Sequence, residues 1–200
     1  MSDERKAVLV VGAGDATGGA IARRFAREGL IACVTRRSAD KVAPLVERIR
    51  ADGGEAHGYG SDARNEDEVV ALVQQIEREV APIEVAVFNI GANVRFGIAE
   101  TTERVYRKVW EMGALAGFLM GREVAKAMRP RGRGTILFTG ATASVRGSAG
   151  FAAFAGAKPG SVRRAGRRPR SQGAPDCHHR RGGRARRVRR ADHVRRHADA

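Results

Sequence analysis

Four glycines, Gly12, Gly14, Gly18 and Gly19, fall within eight residues. Before them runs the apolar stretch Ala7 to Val11; after them Ile21, Ala22, Phe25 and Ala26 return at helical spacing. Glycine at such a place serves two ends. A strand must turn sharply into a helix, and a phosphate reaches the backbone only where no Cβ stands in its way. The first N–H groups of the helix, with the positive end of its dipole, then point at the anion. The chemistry implied is a cradle for nucleotide phosphates. Many tight strand-to-helix turns bind nothing, and it is the position at the first strand of a βαβ unit that gives this one weight.

The rest of the chain to about residue 158 supplies the elements such a cradle needs. Ile31 to Thr35 is a second strand, and Ser38 or Asp40 is placed to cap a helix carrying Val42, Leu45, Val46 and Ile49, closed by Gly53-Gly54. Ala56 to Gly60 is a third strand. Asn65, with Glu68 three residues on, caps a helix whose apolar face is Val69, Val70, Leu72, Val73 and Ile76. Glu84 to Asn89 is a fourth strand, Thr102 to Met128 one long helix containing Gly113, Gly117 and Gly121, and Thr135 to Thr139 a fifth strand. Strict alternation of strand and helix predicts an α/β fold, a Rossmann-type doubly wound parallel sheet in three α/β/α layers, incomplete at its C-terminal edge.

Composition agrees once the charge is divided. The 200 residues carry a formal net charge of +15, which suggests a nucleic-acid binder. Residues 159–200, however, hold fourteen arginines against three aspartates and so account for +11, leaving +4 for residues 1–158. The opening MSDERK lacks the apolar core of a signal peptide and no apolar run would span a bilayer, so a cytoplasmic location and no membrane partner are expected. Cys33 sits in an expected buried strand and Cys177 in the arginine-rich stretch, which suggests neither disulfide nor zinc framework. No metal site is expected.

Residues 7–158 resemble the short-chain dehydrogenase/reductase family. Val11-Gly12-Ala13-Gly14-Asp15-Ala16-Thr17-Gly18 sits where that family has Thr-Gly-x-x-x-Gly-x-Gly, with Ala16 in place of the middle glycine. Phe88-Asn89-Ile90-Gly91 sits where it has Asn-Asn-Ala-Gly, and Gly134-Thr135-Ile136-Leu137 matches the strand before its catalytic serine. Asp62, followed by Ala63, matches the adenine-contacting aspartate. The resemblance implies an NAD(P)-binding oxidoreductase acting on a small carbonyl or alcohol. Its implied cofactor positions here are Gly12, Gly14, Asp15, Thr17, Gly18, Arg36, Arg37, Asp62, Ala63, Asn89, Gly91 and Lys158. Thr35-Arg36-Arg37 ends the second strand with no acid; a guanidinium pairs bidentately with phosphate, so NADP(H) is the expected cofactor. Asp15 in the turn speaks for NAD, which stays as the alternative.

The catalytic positions depart from the family. Its Tyr-x-x-x-Lys pair falls on Phe154 and Lys158, its serine on Ala141 and the asparagine of its long helix on Gly113. Phenylalanine has no ionisable proton, so the family's acid–base step cannot run at residue 154. Thr142 and Ser144 stand beside the serine position as substrate-oxygen binders or as loop caps. Lys158 keeps the ribose-binding role implied by the resemblance, or is an exposed helix lysine. Three readings stay open: an oxidoreductase with impaired or atypical catalysis, a non-catalytic cofactor-binding protein, and a defective product.

From Pro159-Gly160 onward the family pattern stops, and residues 159–200 contain no Leu, Ile, Met, Phe, Tyr or Trp. Such a stretch reads either as a disordered arm that binds nucleic acid non-specifically or as sequence out of frame with its ancestral gene. Permitted codons for Pro175 to Arg184, shifted by one base, spell Arg-Ile-Ala-Ile-Thr-Val-Val-Val-Asp-Gly, which resembles the family's sixth strand. The homo-oligomer that the resemblance implies would lose part of its interface, since the helix begun at Phe154 is broken there, and the fifth strand would be left as an open edge.

Overall fold

The structure is a computed structural model, and it describes residues 5–91, 94–142 and 149–158. Ser144, the break expected at Pro159-Gly160, Cys177 and the whole of 159–200 lie outside the described residues.

Five strands, β1 (Ala7–Val11), β2 (Ile31–Arg36), β3 (Ala56–Gly60), β4 (Ile83–Phe88) and β5 (Thr135–Phe138), pair in parallel in the order β3-β2-β1-β4-β5. The chain therefore winds outward from β1 through β3, then returns to lay β4 on the other side of β1. That reversal opens a crevice at the carboxyl ends of β1 and β4, the usual ligand position in such sheets. β1 is buried along its whole length, as an unbroken apolar run requires when both sheet faces are covered.

Side-chain alternation sends β1 to β4 into two separate cores, while β5 reaches only one of them. Leu9, Cys33 and Phe88 pack with Leu72, Val73 and Ile76 of α3 (Glu66–Glu79) and with Met120 and Val124 of α5 (Ala116–Met128). Val8, Val10, Ala32 and Val34 pack with Ala22 and Ala26 of α1 (Thr17–Arg27) and with Leu45, Val46 and Ile49 of α2 (Ala43–Ala51). Each fully buried Leu, Ile or Val contributes about 1.5–3 kcal/mol by leaving water. Arg131 clamps one end: its guanidinium donates to Glu77 at 2.6 and 3.1 Å and to the Ile83 carbonyl at 3.0 Å, tying α3, β4 and the turn after α5 together.

Two local expectations are corrected. Neither Ser38 nor Asp40 caps α2 by its side chain; the backbone makes a 3-10 turn at Ala39–Lys41, and α2 starts one residue after Val42 with Pro44 in its first turn. Proline lacks the N–H that a side-chain cap would have served. The long helix is interrupted: α4 (Glu103–Trp110) passes through a π turn at Glu111–Leu115 before α5, and Gly113 lies in that turn. A last helix, α6 (Ala152–Ala157), packs Ala153 and Ala157 on Val109. β5 has no outer partner among the described residues, and Leu137 on it is 44% exposed. No helix among those residues is long and apolar enough to cross a membrane.

The α3 cap is as expected. Asn65 Oδ1 accepts from the Asp67 and Glu68 N–H groups at 3.1 and 3.5 Å, its Nδ2 donates to Glu68, and Glu68 accepts from the Asp62 N–H at 2.7 Å. Asn65→Ala is expected to cost about 1 kcal/mol and to lower the thermal midpoint by about 2–4 °C, measured by circular dichroism. An unchanged midpoint would mean that Glu68 holds the turn unaided.

Candidate nucleotide site

The turn from β1 into α1 is built with no spare volume on its inner side. Gly12 has φ +85°, and a Cβ there would lie 2.8 Å from the Asn89 carbonyl oxygen. At Gly18 a Cβ would collide with the Gly12 carbonyl and stand 2.8 Å from Ala13 Cα and 2.9 Å from Asn89 Nδ2. Most of these obstacles are backbone, which cannot give way cheaply. The outer side is open, with nothing within 4 Å of the Cβ direction of Gly14. Hydrogen bonds fix the turn: Gly12 and Ala13 N–H donate to the Thr35 carbonyl at 3.0 and 3.1 Å, and the Gly12 carbonyl accepts from Gly14 N–H at 3.0 Å and Asn89 Nδ2 at 3.2 Å.

The start of α1 is prepared for an anion. Ala16 at its N-cap offers no side-chain bond and no acid stands in the first turn, whereas α3 and α4 are capped by Asn65 and Thr102. The Gly19 N–H is taken by the Gly14 carbonyl at 2.8 Å, which leaves the Thr17 and Gly18 N–H groups of the first turn to a phosphate. Asp15, Ala16 and Thr17 are exposed around this opening.

From the turn a cleft of about 140 Å³ runs over the ends of β1, β2 and β3, walled by Gly12, Arg36, Arg37, Asp62 and Ala63, with Ile90 and Met112 also lining it. Five of the sequence-predicted positions thus share one cleft. Gly14 and Asp15 belong to the turn, Thr17 and Gly18 open α1, Asn89 braces the turn from behind, and Gly91 is exposed just past β4. Arg64 was not singled out by sequence, yet it lines the cleft and grips Asp62: its Nε donates to Oδ1 at 2.9 Å and its backbone N–H to the same oxygen at 3.1 Å. The Arg64 guanidinium holds the Asp62 carboxyl below the usual carboxylate range, with Arg37 adding to it. The signal was present in the spacing, since a cation two residues after an acid in a loop can fold back on it.

The catalytic positions gather at the other end. Lys158 is 9% exposed, not an open helix lysine; its Nζ donates to the carbonyls of Ile90 and Thr139 at 2.8 and 3.0 Å and stands 5.7 Å from the centre of the Phe88 ring. Both carbonyls follow the strand ends of β4 and β5, so the ammonium bridges the rim of the crevice and keeps one of its three N–H donors. Burial lowers its pKa. Phe154, one helical turn earlier on α6, is half-buried; Ala141 is half-buried and Thr142 exposed. Gly113 is more than a missing asparagine: a Cβ there would lie 2.6 Å from the Ala157 carbonyl oxygen, because the π turn packs directly on α6.

The residues present fit a nicotinamide dinucleotide at the phosphate and adenosine end, where a Cβ-free turn, a free helix terminus and guanidinium groups converge. At the reacting end they offer an ammonium and no phenol at residue 154. Cys33 is no substitute nucleophile, since burial pushes its thiol up to about 12. No cluster among the described residues could hold a metal ion.

Comparison with known proteins agrees with this geometry. The profile of the short chain dehydrogenase family matches residues 6–164. A solved short-chain dehydrogenase from Rhodopseudomonas palustris superposes with a TM-score of 0.74 at 55% identity, over 76% of this chain and 72% of the other. The actinorhodin polyketide ketoreductase, in a variant solved with NADPH, gives a TM-score of 0.74 at 30% identity over 79% and 61%. The ketoacyl reductase HetN of Nostoc is 29% identical over 78% of this chain and 55% of its own length. The chain spans about 55–62% of the length of the first curated relatives it matches. The glycine turn, the parallel sheet and the match across residues 6–164 together make the chain a member of the short-chain dehydrogenase family, whose Rossmann sheet binds NAD(P).

Proposed function

We propose that this chain binds NADP(H) in preference to NAD(H), acts in the cytoplasm on a small carbonyl or alcohol, and does so with impaired or atypical catalysis. The observation that carries the cofactor preference is the wall of guanidinium groups at the end of β2, where Arg36 and Arg37 line the cleft and no acid stands on that strand end. A ribose 2′-phosphate would meet two cations there, while a bare 2′-hydroxyl would find no carboxylate to accept its hydrogen bond. NADPH, when bound, would supply a hydride; the protein's part is to hold the dinucleotide and orient the carbonyl. Gly12, Gly18 and the first turn of α1 would hold the pyrophosphate, and the remaining N–H of Lys158 would hold the nicotinamide ribose. Proton delivery falls to water or substrate, because Phe154 cannot donate.

Fluorescence titration of the full chain tests the first part. NADPH is expected to bind at least tenfold more tightly than NADH, and Arg36→Gln/Arg37→Gln is expected to remove that difference, a change of about 1.4 kcal/mol or more. Equal affinity in the wild type would sink the NADP reading while leaving the fold assignment intact.

Catalysis is tested by restoring what is missing. Phe154→Tyr/Ala141→Ser places a phenol one turn before Lys158 and a hydroxyl at the end of the fifth-strand loop. It is expected to raise carbonyl reduction, followed as NADPH oxidation, by about 10²-fold or more over wild type, the usual scale of a positioned acid, and adding Lys158→Met is expected to abolish the gain. A double variant no faster than wild type, with cofactor affinity unchanged, would favour a protein that binds the cofactor without turnover. Gly113→Asn is expected to lower stability rather than complete the site, since its Cβ meets the Ala157 carbonyl.

A further inference from the structure

Asp62 poses a problem for the cofactor reading on which this inference rests. A carboxylate in the same cleft as Arg36 and Arg37 opposes the dianionic phosphate those arginines would recruit. Arg64 answers it. The pair is bidentate, with Nε on Oδ1 at 2.9 Å and Nη2 on Oδ2 at 2.5 Å, and the Arg64 backbone N–H adds a third bond to Oδ1. Both side chains are more than two-thirds buried, at 29% and 27% exposed, so the pair is less screened than a surface ion pair. The local backbone keeps it in place: the Asp62 N–H is held by Glu68 and the Asn65 N–H donates to the Asp62 carbonyl at 2.8 Å. With Arg64 paired to Asp62, the cleft presents Arg36 and Arg37 against no net opposing charge, +2 in all, which balances a ribose 2′-phosphate.

We propose that Arg64 is a specificity-determining positioning residue: by neutralising and orienting Asp62, it lets Arg36 and Arg37 select the 2′-phosphorylated dinucleotide. It acts through Asp62 and not by touching the phosphate itself. The acid can then keep the adenine contact that the family resemblance implies without repelling the neighbouring phosphate. The same Arg64 bond is the first cause that holds the Asp62 carboxyl below the usual carboxylate range.

A double-mutant cycle read by cofactor binding decides the matter. NADPH and NADH affinities are measured by fluorescence titration for wild type, Arg64→Gln, Asp62→Asn and Asp62→Asn/Arg64→Gln, with Arg64→Lys as a variant that keeps the charge. Arg64→Gln is expected to lower the NADPH-to-NADH affinity ratio at least fivefold, Arg64→Lys less than twofold, and Arg64→Gln in the Asp62→Asn background less than twofold. Loss of both affinities at constant ratio would show a merely structural role and overturn the proposal. An equal fall in the ratio in both backgrounds would place Arg64 on the phosphate itself and overturn it too. If Arg64→Gln does not fold, the Arg64→Lys and Asp62→Asn/Arg64→Gln ratios still decide: a fivefold or greater fall in either overturns the proposal, and both within twofold of wild type support it. A wild type that binds NADPH no more tightly than NADH, or binds neither, overturns the NADP reading and this inference together. A wild type that prefers NADPH beside an Arg64→Gln protein with the same ratio overturns this inference alone.

Discussion

The site depends on one close approach, that of the β1–α1 turn to the end of β4. The Gly12 carbonyl accepts from both Gly14 and the Asn89 side chain, and the missing Cβ atoms of Gly12 and Gly18 are what let Asn89 come that near. Because Asn89 N–H also donates to the Val11 carbonyl, the register of β4 on β1 and the shape of the turn are a single constraint. Any side chain at Gly12 or Gly18 would push backbone against backbone, where no rotamer can relieve it. The free first turn of α1 is positioned by that contact and would be misaimed without it.

The glycine turn and the positions aligned with the family's acid–base residues sit on different parts of the chain, so a change at one leaves the other in place. The cradle is made of β1, α1 and the loops after β2 and β3. The acid–base positions lie on α6 and after β5, and the π turn of the long helix is sealed against α6 through Gly113 and Ala157. Replacing a tyrosine by phenylalanine on α6 removes a hydroxyl without disturbing β1 or β2. Lys158 ties the acid–base side to the end of β4, since its ammonium joins the carbonyl of Ile90 to that of Thr139.

The sheet was readable in the sequence because β1, β2 and β4 are short, largely apolar runs set between turn residues, and β1 and β3 begin and end at the residues the sequence marks. The Asn65 cap was readable because side-chain identity and spacing specify it. The cap of α2 was not, since Ser38 and Asp40 each satisfy the rule and the chain used neither, making a 3-10 turn instead. The π turn was not legible, because the small residues Gly113, Ala114, Ala116 and Gly117 around it blur the apolar periodicity in which a change of phase would show. The two-residue spacing of Asp62 and Arg64 permits a pairing within one loop, but that both side chains turn into the same cleft is a property of the fold.

A gradient in support follows from the strand order. β1, β2 and β4 each have a neighbour on both sides, and these three strands carry the glycine turn, Arg36 and Asn89. β5 is paired on one side only among the described residues; beyond its last residue lies the Thr139 carbonyl that Lys158 uses, while Leu137 on the strand and Phe118 on α5 are 44% and 57% exposed. Hydrogen-bonded interior strands open only with the whole sheet, whereas an edge strand with solvent on one side opens locally. The glycine turn, Arg36 and Asn89 are therefore held by global stability, whereas the Thr139 carbonyl after β5 and the Asp62 loop after the other edge strand, β3, are held by local stability. A loss of order at the β5 edge would cost Lys158 one of its two carbonyls before it altered the glycine turn.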